Sequence, residues 1–162
     1  MTIDKKYVDQ IINVTSKAAI ASSFLVGKKD KIAADQAAVD SMRQELNKIN
    51  MTGEIVIGEG SLDEAPMLYT GEILGNKNGP KFDIAVDPLE GTNFAANNLP
   101  GALSVLVITA KGNLFNAPET YMDKIAVGND VPPDAVDLDF TIEKNIKNIA
   151  ESKNKDINQI TA

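Results

Sequence analysis

The spacing of apolar side chains predicts two helices at the start of the chain. Across residues 4–25, apolar and small residues recur every three or four positions, as on one face of a helix. Gly27 interrupts this pattern, and Asp30 is suited to cap the start of a second helix. The residues predicted to line the buried face of the first helix are Val8, Ile11, Ile12, Thr15, Ala18, Ala19, Ser22 and Leu25.

One acidic residue interrupts the apolar stripe of the second helix. Asp35 occupies a position where the spacing calls for a core residue. A carboxylate buried there without a partner costs several kcal/mol, so it needs a cation, a hydroxyl donor or backbone N–H groups. The alternative is that Asp35 lies in the first helical turn and caps neighbouring amides. We favour a functional role. The stripe itself consists of Ile32, Val39, Met42, Leu46 and Ile49.

Short apolar runs after residue 50 predict strands separated by loops. The predicted strands are 54–57, 82–86, 103–109 and 124–128, with a tight turn at 110–113 leading into a hairpin partner at 114–115. Thr141 is suited to cap a further helix running to about residue 150, and one short turn is expected near 156–160. Residues 69–81 are predicted to form a surface excursion or the end of a hairpin, and residues 130–139 a loop, because both segments are rich in glycine, asparagine, proline or aspartate.

Two carboxylates follow the predicted strand at 82–86. Asp87 and Glu90 flank Pro88, which lacks an N–H and is therefore expected to end the strand. Gly91 lets the backbone approach a ligand, and Thr92 offers a hydroxyl beside it. Ligands of open α/β sheets bind beyond the carboxyl ends of strands, and clustered oxygen ligands suit Mg²⁺ or Mn²⁺. The alternative is an ordinary acidic turn.

A second acid follows the predicted strand at 54–57. Glu59 stands between Gly58 and Gly60, directly after that strand. It is either a solvated loop residue or a second strand-end ligand. The ligand hypothesis gains weight because the chain has no cysteine and no histidine, the usual alternative metal ligands.

Composition excludes several function classes. The chain has 162 residues, which predicts one domain, and 16 basic against 23 acidic residues give a net charge of −7. Such a charge disfavours nucleic acid and anionic membranes as partners. Without histidine or cysteine, imidazole and thiolate sites are excluded, so catalysis must use carboxylates, hydroxyls, lysines and hard metals. No apolar run approaches the length of a membrane helix, about 20 residues, and no signal-peptide core follows the N-terminus, so we expect a cytoplasmic protein.

The acidic motif resembles the signature of a known superfamily. Residues 87–92, Asp-Pro-Leu-Glu-Gly-Thr, resemble the signature of the lithium-sensitive, metal-dependent sugar and inositol phosphatases. Residues 55–60 followed by 63–69 are similar to class II fructose-1,6-bisphosphatases in particular. Further stretches that fit this family are 28–31, 34–39, 116–118 and 121–122.

The resemblance implies a fold and a reaction. The family has a layered α-β-α-β-α architecture, of which this chain would form the first half, with two N-terminal helices on a mixed, largely antiparallel sheet. The implied reaction converts fructose 1,6-bisphosphate and water to fructose 6-phosphate and phosphate, in gluconeogenesis or Calvin-type carbon metabolism. Some members also resemble sedoheptulose-1,7-bisphosphatases.

The resemblance also implies roles for individual residues. Two or more divalent ions, Mn²⁺ or Mg²⁺, would be bound, and hydroxyl and carboxylate groups would activate the attacking water. In more distant members of the superfamily, the acid that matches Asp35 orients the threonine that matches Thr92. The role of Asp35 therefore stays open. The implied metal ligands are Asp35 and Glu59 for one ion and Asp87 and Glu90 for another; substrate contacts are Glu90, Gly91, Thr92 and Tyr121; water activation falls to Asp63 and Thr92.

The family's chain continues with a second half of comparable size. The resemblance therefore implies that residues 1–162 are the amino-terminal catalytic portion, and that the sheet exposes an edge and an apolar face. Expected partners are a sugar bisphosphate and either further copies of the full-length form or a complementary C-terminal half. Two alternatives remain: an inositol-phosphate or phosphonucleotide phosphatase, disfavoured by Tyr121 and residues 59–69, and an inactive acidic domain that only binds a partner.

Overall fold

A computed structural model describes residues 3–60, 67–116 and 122–161 of the chain. The chain divides into two compact units, Met1–Ala117 and Pro118–Ala162. In order, the elements of the first unit are α1 (Lys5–Ser23), α2 (Lys31–Leu46), β1 (Thr52–Ile57), β2 (Ile73–Leu74), β3 (Lys81–Glu90), α3 (Thr92–Ala96) and β4 (Leu103–Ala110). The second unit contains α4 (Ile142–Ser152) and a 3₁₀ turn at Ile157–Gln159.

Both predicted N-terminal helices are present and begin at capped positions. The Asp30 side chain accepts a hydrogen bond from the Ala33 amide, as the sequence predicted. The buried stripe of α1 differs from the prediction, because Val8 and Ile12 are exposed. Tyr7 is buried instead, and its ring packs edge-on against Phe82 with centroids 5.0 Å apart. The buried face of α1 runs through Tyr7, Val14, Ala18 and Ser22, so its first half is offset by one position from the predicted stripe.

The strands form one mixed sheet in the order β2-β1-β3-β4. β1 pairs antiparallel with β2 and parallel with β3, and β3 pairs antiparallel with β4. This confirms the α/β class and the largely antiparallel sheet. The apolar residues on one face of the sheet, among them Ile55, Ile84 and Val86, join the core formed with α1 and α2.

Two predicted strands are absent, and one strand was not predicted. Residues 69–81, predicted as a surface excursion or hairpin end, contain the short strand β2. Residues 114–115 form no strand, because the turn before them is bound to a buried carboxylate, as described below. Residues 124–128 form no strand either, since the described part of the second unit contains no other strand to pair with them.

The opposite face of the sheet is apolar and exposed. On β4, Leu103 is 60 % exposed, Val105 40 % and Val107 49 %. Ile57 on β1 and Ile73 on β2 are also exposed, at 44 % and 41 %. Exposed apolar patches of this kind mark interaction surfaces. We call these five residues the outward sheet face.

A buried carboxylate fixes the turn that follows β4. Asp83, on β3, is 1 % exposed. Its Oδ2 accepts hydrogen bonds from the amides of Gly112, Asn113 and Leu114 at 2.6, 3.0 and 3.2 Å. Burial raises the pKa of Asp83, but hydrogen bonds from the Leu114 amide and the Lys111 ammonium outweigh it, so the pKa is lowered overall. Asp83 therefore acts as an ionised anchor for this turn.

We expect Asp83→Asn to lower the free energy of unfolding by about 2 kcal/mol at neutral pH, because charge-assisted hydrogen bonds are lost. Since the folded pKa is below the usual value of 3.8, wild type loses this advantage as pH falls below that value. Urea unfolding at neutral and acidic pH measures both effects. Asp40→Asn, at an exposed position of α2, is the control. A gap between Asp83→Asn and wild type that widened in acid would contradict the anchor.

Candidate metal centre

A β-bulge brings Asp87 and Glu90 to the same side of the sheet. Asp87 pairs with Val105 and Glu90 with Leu103, so two residues of β3 lie opposite one residue of β4. In a regular strand, residues three apart point to opposite faces. Because of the extra residue, Asp87 and Glu90 lie on the same face of the sheet, the face that also carries Val105 and Leu103. Leu89, between them, lies in the core.

The bulge also corrects the prediction made for Pro88. The strand does not end there, because β3 continues through Glu90. A proline inside a sheet is tolerated at a bulge, where its missing N–H removes no ladder hydrogen bond. Asp87 and Glu90 therefore belong to the strand rather than to a turn after it.

Asp35, Asp87 and Glu90 interact electrostatically. Burial, together with the Glu90 carboxyl as a hydrogen-bonding and charged neighbour and with the charge of Asp35, raises the pKa of Asp87 to about 6. Burial also raises the pKa of Asp35. Like charges close together in a partly buried site repel each other, and this repulsion favours protonation or the binding of a cation.

Asp35 and Asp87 each have one carboxylate oxygen without a hydrogen-bond partner. Both Oδ1 atoms are buried, and neither has a partner. Buried polar atoms are normally satisfied, so an unpartnered pair of acid oxygens fits a site for a hard cation. In the described ranges, no group of three or more acidic side chains is arranged closely enough to hold an ion as it stands.

Glu59 lies at the same end of the sheet. Glu59 follows β1, which runs parallel to β3, so the carboxyl ends of both strands point to the same end of the sheet. The Glu59 amide donates to the Leu68 carbonyl at 3.0 Å. Gly58 is required here, because a Cβ on it would lie 2.2 Å from the Leu68 carbonyl oxygen.

Gly91 and Thr92 form the connection from β3 to α3. Gly91 has φ +80°, in the left-handed region, and caps α3, whose first residue is Thr92. Thr92 is half-buried and follows Glu90 by two positions. The other two predicted site residues, Asp63 and Tyr121, lie outside the described residues.

The raised carboxyl pKa values predict a pH dependence of the metal-free protein. The folded state binds protons more tightly than the unfolded state, whose aspartates titrate near 3.8, so stability should rise as pH falls from about 7 to about 5. Thermal unfolding in the presence of a chelator measures this effect. Asp87→Asn should remove most of the difference between the two pH values. An unchanged slope in that variant would show that Asp87 is not its source.

Sequence reasoning assigned no role to Arg43 or Glu72, which form a half-buried ion pair between α2 and the segment before β2. The sequence signal for this pair was weak, because Arg43 in the last turn of α2 is an ordinary position for a basic residue. Among the described residues, no helix is long and apolar enough to span a membrane.

Comparison with known proteins identifies the family. Residues 5–162 match the family model for bacterial fructose-1,6-bisphosphatase, glpX-encoded. A protein of Synechococcus sp. (strain CC9902), named D-fructose 1,6-bisphosphatase class 2/sedoheptulose 1,7-bisphosphatase, is 49 % identical over 92 % of this chain and 44 % of its own length. A protein of Prochlorococcus marinus (strain MIT 9303) with the same name is 45 % identical over 98 % of this chain and 47 % of its own.

The chain thus spans about half the length of these curated relatives. An extragenic suppressor from Pyrococcus furiosus has a TM-score of 0.45 and 15 % identity over 66 % of this chain and 41 % of its own, which is too distant to bear on function. The family match and the two relatives agree with each other along nearly the whole chain. This chain therefore belongs to the family of bacterial, glpX-encoded fructose-1,6-bisphosphatases.

Proposed function

We propose that this chain provides the amino-terminal part of a metal-dependent phosphatase that hydrolyses fructose 1,6-bisphosphate to fructose 6-phosphate and phosphate. The observation that carries the proposal is the pair of buried, unpartnered carboxylate oxygens on Asp35 and Asp87, in a chain of this family. The names of the relatives support sedoheptulose 1,7-bisphosphate as a second substrate.

Four acids would hold two or more Mn²⁺ or Mg²⁺ ions. Asp35 and Glu59 would bind one ion, and Asp87 and Glu90 another. Oxygen-only ligands suit these hard cations, and their charge would relieve the repulsion that raises the pKa of Asp87. When bound, such ions neutralise phosphate oxygens and acidify water, so hydrolysis requires no histidine.

The remaining site residues would bind substrate and direct water. Glu90, Gly91, Thr92 and Tyr121 would contact the sugar phosphate, and Gly91 allows its close approach because it has no side chain. Asp63 and Thr92 would activate the attacking water together: the Thr92 hydroxyl would orient the water, and the water proton would pass to the Asp63 carboxylate. The water oxygen bonds to phosphorus, the bond from phosphorus to the sugar oxygen breaks, and the sugar oxygen takes up a proton.

A complementary polypeptide is part of the proposal. The outward sheet face is apolar and exposed, and the relatives are about twice as long as the matched region. We propose that a polypeptide equivalent to the second half of the relatives covers this face, and that the complete protein forms homo-oligomers. We also propose a cytoplasmic setting, and the net charge of −7 argues against nucleic acid as a partner.

Mn²⁺ calorimetry and a phosphate-release assay test the proposal together. The chain should be examined alone and co-expressed with the second half of the Synechococcus relative. We expect Mn²⁺ binding in both samples, with release from fructose 1,6-bisphosphate strongest in the co-expressed one. Faster release from inositol monophosphate would favour the inositol-phosphatase alternative. Metal binding without turnover in either sample would favour a domain that only binds a partner.

A further inference from the structure

Arg43 joins helix α2 to the segment that precedes β2. Its Nε donates to Oε1 of Glu72 at 2.8 Å, and its Nη2 donates to Oε2 of Glu72 at 3.2 Å. The same Nη2 donates to the Met67 carbonyl at 2.5 Å. The two side chains are only 24 % and 12 % exposed, so solvent screens this forked contact less than a surface pair.

The segment held by Arg43 in turn supports the end of β1. Within residues 67–72, the Leu68 carbonyl accepts from the Glu59 amide at 3.0 Å. The Gly71 amide donates to the Ile55 carbonyl at 2.7 Å, and the Ile55 amide donates to the Glu72 carbonyl at 3.0 Å. This segment therefore fixes the backbone of Glu59 from one side, while Arg43 fixes the segment to α2.

Asp35 belongs to the same helix as Arg43. We propose that Arg43 is a positioning residue: through Glu72 and the Met67 carbonyl it holds the backbone of Glu59 in register with Asp35. The inference rests on the proposed function in one respect, because it takes Asp35 and Glu59 as ligands of one ion. Arginine is required because its planar fork contacts both carboxylate oxygens and the carbonyl at once, which a lysine ammonium cannot do.

The test compares Arg43→Met with Arg43→Lys in two measurements. Hydrogen exchange in the metal-free protein should become faster at the Glu59 and Gly71 amides, while amides of the β3–β4 ladder stay protected. Mn²⁺ affinity by calorimetry should fall about tenfold, in the range found for residues that orient metal ligands. Arg43→Lys should restore neither property fully.

Lys48→Met is the matched control. Lys48 lies just beyond α2, pairs with Glu45 at 2.6 Å, and has a side chain that is 58 % exposed. We expect this variant to leave both readouts unchanged. An unchanged Glu59 amide in Arg43→Met would overturn the inference. Faster exchange there with unaltered Mn²⁺ affinity would overturn it as well.

A separate variant distinguishes this failure from failure of the proposed function. Asp35→Asn tests whether Asp35 is a ligand, and it leaves Arg43 and Glu72 in place. If Asp35→Asn leaves Mn²⁺ affinity unchanged, the proposed ligand set is wrong, whatever the exchange at Glu59 shows. If Asp35→Asn weakens binding and Arg43→Met does not, only the positioning role is wrong.

Discussion

Asp87→Asn should weaken Mn²⁺ binding by about a hundredfold and at the same time raise the melting temperature of the metal-free protein at neutral pH. Affinity falls because the amide has no negative charge to offer the ion. Stability rises because the ionised Asp87 carboxylate is partly buried beside Glu90 and Asp35, which together raise its pKa to about 6. Removing that charge relieves the repulsion.

The opposite signs of these two effects distinguish a ligand from an ordinary structural acid. Calorimetry with Mn²⁺ and thermal unfolding in chelator measure them on the same samples. Glu90→Gln should behave in the same direction, since Glu90 faces the same side of the sheet. Asp40→Asn, on the exposed surface of α2, should change neither quantity. Equal Mn²⁺ affinities in all three variants would contradict the proposed division of the acids into ligands and surface residues.

Val107→Lys should reduce assembly with the second half of a relative by at least about a hundredfold, because covering the outward sheet face would bury an unpaired ammonium. Val107 is 49 % exposed and pairs with Ala85, away from the acidic residues at the end of β3. The substitution should therefore leave the fold of the chain and its Mn²⁺ affinity intact. Co-purification from cells that express both polypeptides measures the assembly.

Val8→Lys provides a control of similar exposure. Val8 is 45 % exposed on α1, on the other side of the sheet from the outward face. We expect Val8→Lys to co-purify with the second half as wild type does. If Val8→Lys and Val107→Lys reduced co-purification equally, the result would show only that an added surface charge weakens assembly wherever it is placed. Full retention with Val107→Lys would mean that the outward sheet face does not receive this partner.

Much of the fold could be predicted from local patterns. The Asp30 cap, the strand at β1 and the helix after Thr141 each follow from a few adjacent residues, so no distant contact was needed. The secondary-structure predictions failed where a residue distant in the sequence determines the local structure. Residues 114–115 form no strand, because the amides of residues 112–114 donate to Asp83, 29 to 31 positions earlier. The buried face of α1 is offset from the prediction at Tyr7 and Val14, and Tyr7 packs on Phe82, 75 positions later in the chain.

In the candidate site, too, some features could be predicted from the sequence and others could not. That Asp35 interrupts an apolar stripe is visible in the sequence, and so is the pair of acids around Pro88. The Arg43–Glu72 contact was not foreseen, because neither residue breaks a pattern and the two are 29 positions apart. Asp63 and Tyr121 keep their predicted roles as hypotheses that rest on the family resemblance alone.

By itself, the sequence determined which chemistry is open to this protein: without histidine or cysteine, its reactive groups are oxygen ligands and ammonium groups. It also determined the order of α1, α2, β1, β3, β4 and α4, since apolar periodicity is a local property, but it missed β2 and predicted strands at 114–115 and 124–128 that do not form. Only the tertiary structure decided that Asp87 and Glu90 point the same way, because side-chain direction in a strand depends on its register with β4. Likewise, only packing brought Asp35 within electrostatic reach of Asp87 and raised the Asp87 pKa, because burial and charge proximity arise between distant segments.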